Sequence, residues 1–317
     1  MRVFTAVLLL ASMPLIAKSL SPDHEMSVFA AEGANYCAGA SWENTKLYDF
    51  LYSLNCIPEG WEDFFGQEAV SQQVQAISMN LGQQMSQDGD RIMPLLASTF
   101  KAMDMVPPHR IKAVILGQDP APQYGLATGM SFSIPANYST SLVPSIQRVL
   151  LEARNEGFDV KIKIGDLTSW AEQGVLLLNS ALTIPCRQGD AYCEIGGDQT
   201  IWSDFTAALF KYLNTNAPPS AFILWGEKAG KYQQYIDSSK IRVLRGGHPS
   251  PRAKGEYFFC GNYFQCANKW LGLNNLKPVN WSLARESDTE PVCVWGWNSH
   301  GKESYCEHHC EEKLCDF

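Results

Sequence analysis

Four nearly unbroken apolar runs, each ended by a polar turn, constrain this chain more than any other feature of it. Ala113-Val114-Ile115-Leu116 stops at Gly117-Gln118-Asp119-Pro120. Gly174-Val175-Leu176-Leu177-Leu178 stops at Asn179. Ala221-Phe222-Ile223-Leu224-Trp225 stops at Gly226-Glu227, and Ile241-Arg242-Val243-Leu244-Arg245 stops at Gly246-Gly247-His248-Pro249. Apolar runs of this length suit strands covered on both faces, as in a parallel sheet. The helical patterns between them predict βαβ crossovers. In open α/β sheets ligands bind outside the carboxyl ends of the strands. Pro120 also keeps Asp119 extended and stops a helix from starting there. The expectation is an acid, an amide and an imidazole gathered on one rim.

A chain of 317 residues, 45% apolar and 18% charged, can bury a sizeable core in one large α/β domain with appendages. Its net charge of −8 removes the general attraction that supplies most non-specific nucleic-acid affinity. Any nucleic-acid binding would need local basic groups or backbone donors.

Arg2, the apolar stretch Val3 to Leu10 and the small residues up to Ser19 predict a secretory signal peptide over 1–19. An uncleaved anchor, or a bipartite leader to an organelle, is the alternative. No other stretch is long and apolar enough to span a bilayer. Ten cysteines fit an oxidising compartment, and the expected localisation is secreted or lumenal. Cys186 and Cys193 lie close in one stretch, Cys260 and Cys266 in another, and Cys293, Cys306, Cys310 and Cys315 crowd the C-terminus. Spacing leaves their pairing open. Asn137-Tyr138-Ser139 and Asn280-Trp281-Ser282 are glycosylation acceptor patterns. Cys306, His308, His309 and Cys310 could instead hold zinc, but disulfides are the favoured reading of the tail.

Along the chain, Trp61, Phe64 and Phe65 predict a packed turn or short helix, and residues 71–90 a helix followed by a loop. Leu95, Leu96, Phe100 and Met103 predict an amphipathic helix over 94–103. Met130 to Ile134 reads as a strand. Pro144-Ser145 opens a helix whose apolar face is Ile146, Val149, Leu150 and Ala153, stopping at Gly157. A short helix within 166–173, a loop over 184–198, a helix carrying Trp202, Phe205, Leu209 and Tyr212, and helices over 229–236 and 262–271 complete the core.

These motifs, taken in order, resemble one family. Val114-Ile115-Leu116-Gly117-Gln118-Asp119-Pro120 is similar to the water-activating motif of the main uracil-DNA glycosylase family. Gly165-Asp166-Leu167 through Asn179 resembles its second motif, and His248-Pro249-Ser250-Pro251 its third. Leu224-Trp225-Gly226 and Asn280-Trp281 fall where that family has similar residues. The resemblance runs from about Trp61 to Trp281. It implies a three-layer α/β/α sandwich around a small parallel sheet, with a Cys-rich tail added, and base flipping into a pocket. It implies that Asp119 orients or activates the attacking water and that His248 stabilises charge on the departing base. It also implies that Phe132 stacks on the base, Asn179 reads its edge, and Gln118 and Ala121 line the base site. Ser145 and Ser250 match hydroxyls that grip the DNA backbone, while Arg252, able to fill a vacated base stack, and Lys254 are expected on the DNA strand for the local positive charge they bring.

The chemistry suits those roles. Breaking an N-glycosidic bond puts positive charge on the sugar and negative charge on the base, and a carboxylate and polarised donors oppose both. Taken singly, each residue has an ordinary reading: Asp119 as a turn former, Asn179 as a helix cap, Phe132 as core, His248 as a turn residue. Their common placement at predicted strand ends favours function.

The chain departs from the family pattern at several places. Ala121 stands where the family usually has a tyrosine that crowds carbon 5 of the base, so the pocket is expected to admit 5-substituted pyrimidines unless Tyr124 refills it. Pro122 replaces a histidine, Arg252 an intercalating leucine, and Ala253 a serine. The expected organisation is signal peptide 1–19, leader and start of the domain 20–60, glycosylase-like domain 61–285 and Cys-rich extension 286–317. The expected activity is hydrolysis of uracil or a related pyrimidine from single- or double-stranded DNA by a monomer needing no cofactor and no metal. The rivals are a catalytically weak binding module that keeps the fold, and a hydrolase of free nucleosides.

Overall fold

The computed structural model describes residues 37–88, 90–253, 258–283, 294–298, 301–305 and 315. Its strands are β1 Arg91–Met93, β2 Ala113–Gly117, β3 Val175–Asn179, β4 Ile184–Cys186, β5 Ala221–Trp225, β6 Arg242–Gly246, β7 Val294–Asn298 and β8 Gly301–Tyr305. The four predicted apolar runs form one parallel sheet in the order β3-β2-β5-β6. Every residue of β2, β3 and β5 is buried, which is why those runs carry no polar alternation. β6 lies at the sheet edge and is only partly buried, so it tolerates Arg242 and Arg245.

Helices flank this sheet and give the expected α/β layering. Glu68–Gln83 packs beside Gln199–Asn216, while Tyr263–Leu273 packs on β5 and β6. The core joins strand residues such as Ile115 and Leu178 to fully buried Trp61, Trp170, Trp202, Trp225 and Trp281. Each large apolar side chain removed from water contributes about 1.5–3 kcal/mol. Leu47, Phe50 and Leu51 belong to the same core, so the packed body begins ahead of Trp61. Trp170 stands edge-on to Trp281 at 5.1 Å and donates its indole N–H to the Trp281 carbonyl at 3.0 Å. That contact ties the Asn280-Trp281 segment to the helix ahead of β3.

Three local expectations are corrected. Residues 130–134 form no strand. Ser131 donates its amide to the Leu177 carbonyl and its hydroxyl to the Ile115 carbonyl, and the next residue turns to φ +58°. The 94–103 helix is instead a 3₁₀ turn, Leu96–Ser98, and a short helix, Lys101–Met105. Apolar spacing alone does not distinguish the two when Pro94 removes a donor. The predicted loop over 184–198 begins as β4, paired antiparallel with β1 (Arg91 opposite Cys186).

Disulfides join Cys37 to Cys56, Cys186 to Cys193 and Cys266 to Cys315. β7 and β8 pair as an antiparallel hairpin within the C-terminal extension. The expected signal peptide 1–19, residues 20–36 of the leader, Lys254, Cys293, and the cluster Cys306, His308, His309 and Cys310 lie outside the described residues. Among the described residues no helix is long and apolar enough to cross a membrane.

Candidate active site

Parallel pairing delivers the site. Gly117, at the end of β2, lies in register with Asn179 at the end of β3. A Cβ on Gly117 would sit 2.3 Å from Asn179 Oδ1 and 2.9 Å from Ser131 Cβ, so only glycine lets the amide lie across the strand end. Ser131 is stitched to both β2 and β3, and this places Phe132 beside them in the left-handed region. Such a backbone is rare outside glycine, and where it persists the surroundings hold it. The Phe132 ring packs edge-on against Trp225 with centroids 5.5 Å apart. Gly226 lets the end of β5 approach His248, because a Cβ there would meet that of the imidazole at 2.9 Å.

These ends enclose a cavity of about 390 Å³, within the usual size range of small-molecule sites. Asp119, Phe132, Asn179 and His248 all line it, as do Gln118 and Ala121. Ser145, Ser250 and Arg252 lie at the same cavity. Tyr124 does not fill the space beside Ala121. It is 45% exposed, and its hydroxyl instead accepts from Arg91 Nη1 at 3.0 Å.

Asn179 is 4% exposed, and its Oδ1 has no hydrogen-bond partner within the protein. An unmatched buried acceptor costs about 1–3 kcal/mol, so the arrangement calls for a donor from a ligand. With Nδ2 it offers one acceptor and a donor pair, the complement of a pyrimidine edge carrying N–H beside C=O.

The Asp119 carboxylate accepts three bonds. Gln118 Nε2 reaches Oδ2 at 2.7 Å, the Gly196 amide reaches Oδ2 at 3.1 Å, and Gln199 Nε2 reaches Oδ1 at 2.8 Å. Burial raises its pKa above the ordinary value, and these donors together with Lys228 oppose the rise. Gln118 thus lines the cavity while its Nε2 donates one bond to Asp119. For His248, burial pushes the pKa down to about 4, helped by the positive charges of Arg148 and Lys228. The imidazole is neutral at ordinary pH.

Gln199, Gly196 and Ile195 were not legible as site residues. They come from the turn after a disulfide-closed loop and from a helix start, more than 70 positions from Asp119, and no local pattern marks them. Among the described residues no three His, Cys, Asp or Glu side chains cluster as a metal site would require.

Comparison with known proteins agrees with this geometry. Residues 103–272 match the family model described as the uracil DNA glycosylase superfamily. The chain is 38% identical over 199 residues to the uracil-DNA glycosylase of Lactococcus lactis subsp. cremoris, covering 63% of this chain and 87% of that protein. It is 36% identical over 225 residues to the enzyme of the same name from Neisseria meningitidis serogroup A, covering 70% and 99%. The crystal structure of mimivirus uracil-DNA glycosylase superposes with a TM-score of 0.63 at 28% identity, covering 77% of this chain and 94% of that one. Motif order, sheet topology and sequence similarity converge, and the chain belongs to the uracil-DNA glycosylase superfamily.

Proposed function

We propose that the protein is a uracil-DNA glycosylase that hydrolyses the bond between deoxyribose and a flipped pyrimidine. The observation that carries this reading is the unmatched Oδ1 of buried Asn179, a residue that lines the same cavity as Asp119 and His248. Asn179 Oδ1 accepts the base N–H, and Nδ2 donates to the neighbouring carbonyl. Phe132 offers its ring to the face of the base. Asp119 accepts a hydrogen bond from the attacking water and then its proton, as the water oxygen bonds to C1′ of the sugar. The C1′–N1 electron pair leaves with the base, and the resulting negative charge on the base oxygen meets the Nε2–H of neutral His248. Ser145, Ser250 and Arg252 are assigned to the flanking phosphates.

Ala121 supports a wider base range. With Tyr124 turned to Arg91, no side chain larger than a methyl group stands at position 121, so a 5-substituent meets less obstruction there. A binding-only protein is not favoured, since the relatives are named as glycosylases over most of their length and the catalytic residue types are retained.

We place the mature protein in the secretory pathway. The apolar N-terminus, the disulfides and the exposure of Asn137 and Asn280 within their acceptor patterns support this. The glycosylase domain is taken as 61–285, acting as a monomer.

The test is incubation of the oxidised protein with a single-stranded uracil oligonucleotide, scoring abasic sites, with Asp119→Asn as control. Abasic product from the wild type alone is expected. Retained strand binding without product would overturn the activity and leave the binding rival standing.

A further inference from the structure

The donors around Asp119 are not all alike. Gln118 is its chain neighbour, but Gln199 arrives from across the molecule. Gln199 is the first residue of the 18-residue helix Gln199–Asn216, which is anchored by buried Trp202, Phe205 and Leu209. The preceding residue, Asp198, is fully buried and accepts from Thr183 Oγ1 at 2.6 Å and Gln84 Nε2 at 2.9 Å. Trp202 donates its indole N–H to Thr183 Oγ1 at 2.7 Å. The start of the helix is therefore held by core packing and by its own polar contacts.

The Gln199 amide is fully directed. Nε2 donates to the Gln118 carbonyl at 2.7 Å and to Asp119 Oδ1 at 2.8 Å. Oε1 accepts from Ser180 Oγ at 3.1 Å, and that hydroxyl also lies 3.1 Å from the Gln118 carbonyl. Reversing the amide would set its oxygen against a carbonyl and a carboxylate, so the pattern admits one orientation. A carboxylate has about four acceptor sites. Two donors occupy Oδ2 and one occupies Oδ1, which leaves one site open, on Oδ1.

We propose that Gln199 is a positioning residue for the glycosylase reaction, fixing the Asp119 carboxylate so that its remaining Oδ1 site faces the attacking water. This rests on the function proposed above. Gln199 itself touches neither base nor water. It acts by removing rotation about the Asp119 side chain and by drawing the Gln118 carbonyl and the Asp119 carboxylate onto one donor. Near-attack geometry is sensitive to such placement, because a shift of about 1 Å in a reacting group can cost on the order of 100-fold in rate. The Gly196 amide, just past the Cys186–Cys193 bridge, supplies the matching restraint on Oδ2.

The test uses Gln199→Ala and Ser180→Ala in the full oxidised chain. Two measurements are made: uracil release as a function of pH, and the titration of the Asp119 carboxyl carbon by NMR without substrate. Gln199→Ala is expected to lower kcat by about 10- to 100-fold with KM within about twofold. Losing a donor to the carboxylate favours its protonated form, so the Asp119 titration and the acid limb of kcat both move to higher pH. Ser180→Ala frees Gln199 without removing it and is expected to shift both in the same direction, by less. An unmoved Asp119 titration in Gln199→Ala overturns the proposal whatever the activity, as does a kcat loss matched by an equal rise in KM. A wild type whose Asp119 responds to Gln199 but which releases no uracil overturns a role in catalysis through the function proposed above, not through this contact.

Discussion

The backbone amide of Ser250 donates to Nδ1 of His248 at 2.9 Å. An Nδ1 that accepts carries no proton, so the neutral ring holds its hydrogen on Nε2. The turn His248-Pro249-Ser250 therefore sets the tautomer that the departing base meets, while burial keeps the ring neutral.

The burial of His248 has a consequence for stability. The His248 pKa is held at about 4 against an ordinary 6.5. Between those values the unfolded chain binds a proton that the folded chain does not. Stability contributed by neutral His248 is thus complete above pH 6.5 and is lost as pH falls to 4. Asp119, whose pKa is raised, works in the opposite sense, so the readout is the difference between two proteins. His248→Asn is expected to lose less stability than the wild type between pH 6.5 and 4, measured by denaturant midpoints. Parallel curves would contradict the assigned state.

Asp119 is half-buried, its pKa is raised, and it lines the cavity. Asp119→Asn keeps the shape, removes the water's acceptor and relieves the desolvated charge. Uracil release is expected to fall by about 10²- to 10⁴-fold while the melting temperature rises. A fall in both would mean that the carboxylate serves the fold.

Ala121→Tyr would restore bulk at the base site, since Tyr124 is held by Arg91. Release of 5-hydroxymethyluracil is expected to drop by about 10- to 200-fold relative to uracil. Competing both bases in one oligonucleotide gives that ratio directly. A wild type that already refuses the 5-substituted base ends the argument from Ala121.

The Cys186–Cys193 bridge pins the chain just ahead of Gly196, and both cysteines are buried. Cys186→Ser with Cys193→Ser is expected to cost about 2 kcal/mol of stability. It is also expected to lower kcat at temperatures where the protein stays folded, because Oδ2 of Asp119 loses a fixed donor. Circular dichroism and turnover at one temperature separate the two effects. Unchanged turnover in a folded double variant would detach the bridge from catalysis.

The sheet and its functional rim were legible because a strand buried on both faces needs an unbroken apolar run. The polar residue after each run then has to lie at the carboxyl edge. Asp119, Asn179 and His248 are local consequences of that pattern. Phe132 was legible by resemblance, but its backbone was not. Residues 130–134 alternate like a strand, and only the bonds from Ser131 to Leu177 and Ile115 turn the chain to φ +58°.

What tertiary structure alone decided is the environment of the acid. Whether Tyr124 refills the space at Ala121 depends on Arg91, which comes from a different strand pair. Which donors meet the Asp119 carboxylate depends on where a helix start and the turn just ahead of it dock. Hydrogen bonds between residues 77 to 80 positions apart leave no periodicity in the sequence. Burial patterns are written along the chain at the period of its strands and helices, whereas the partners of a single carboxylate exist only once those elements have packed.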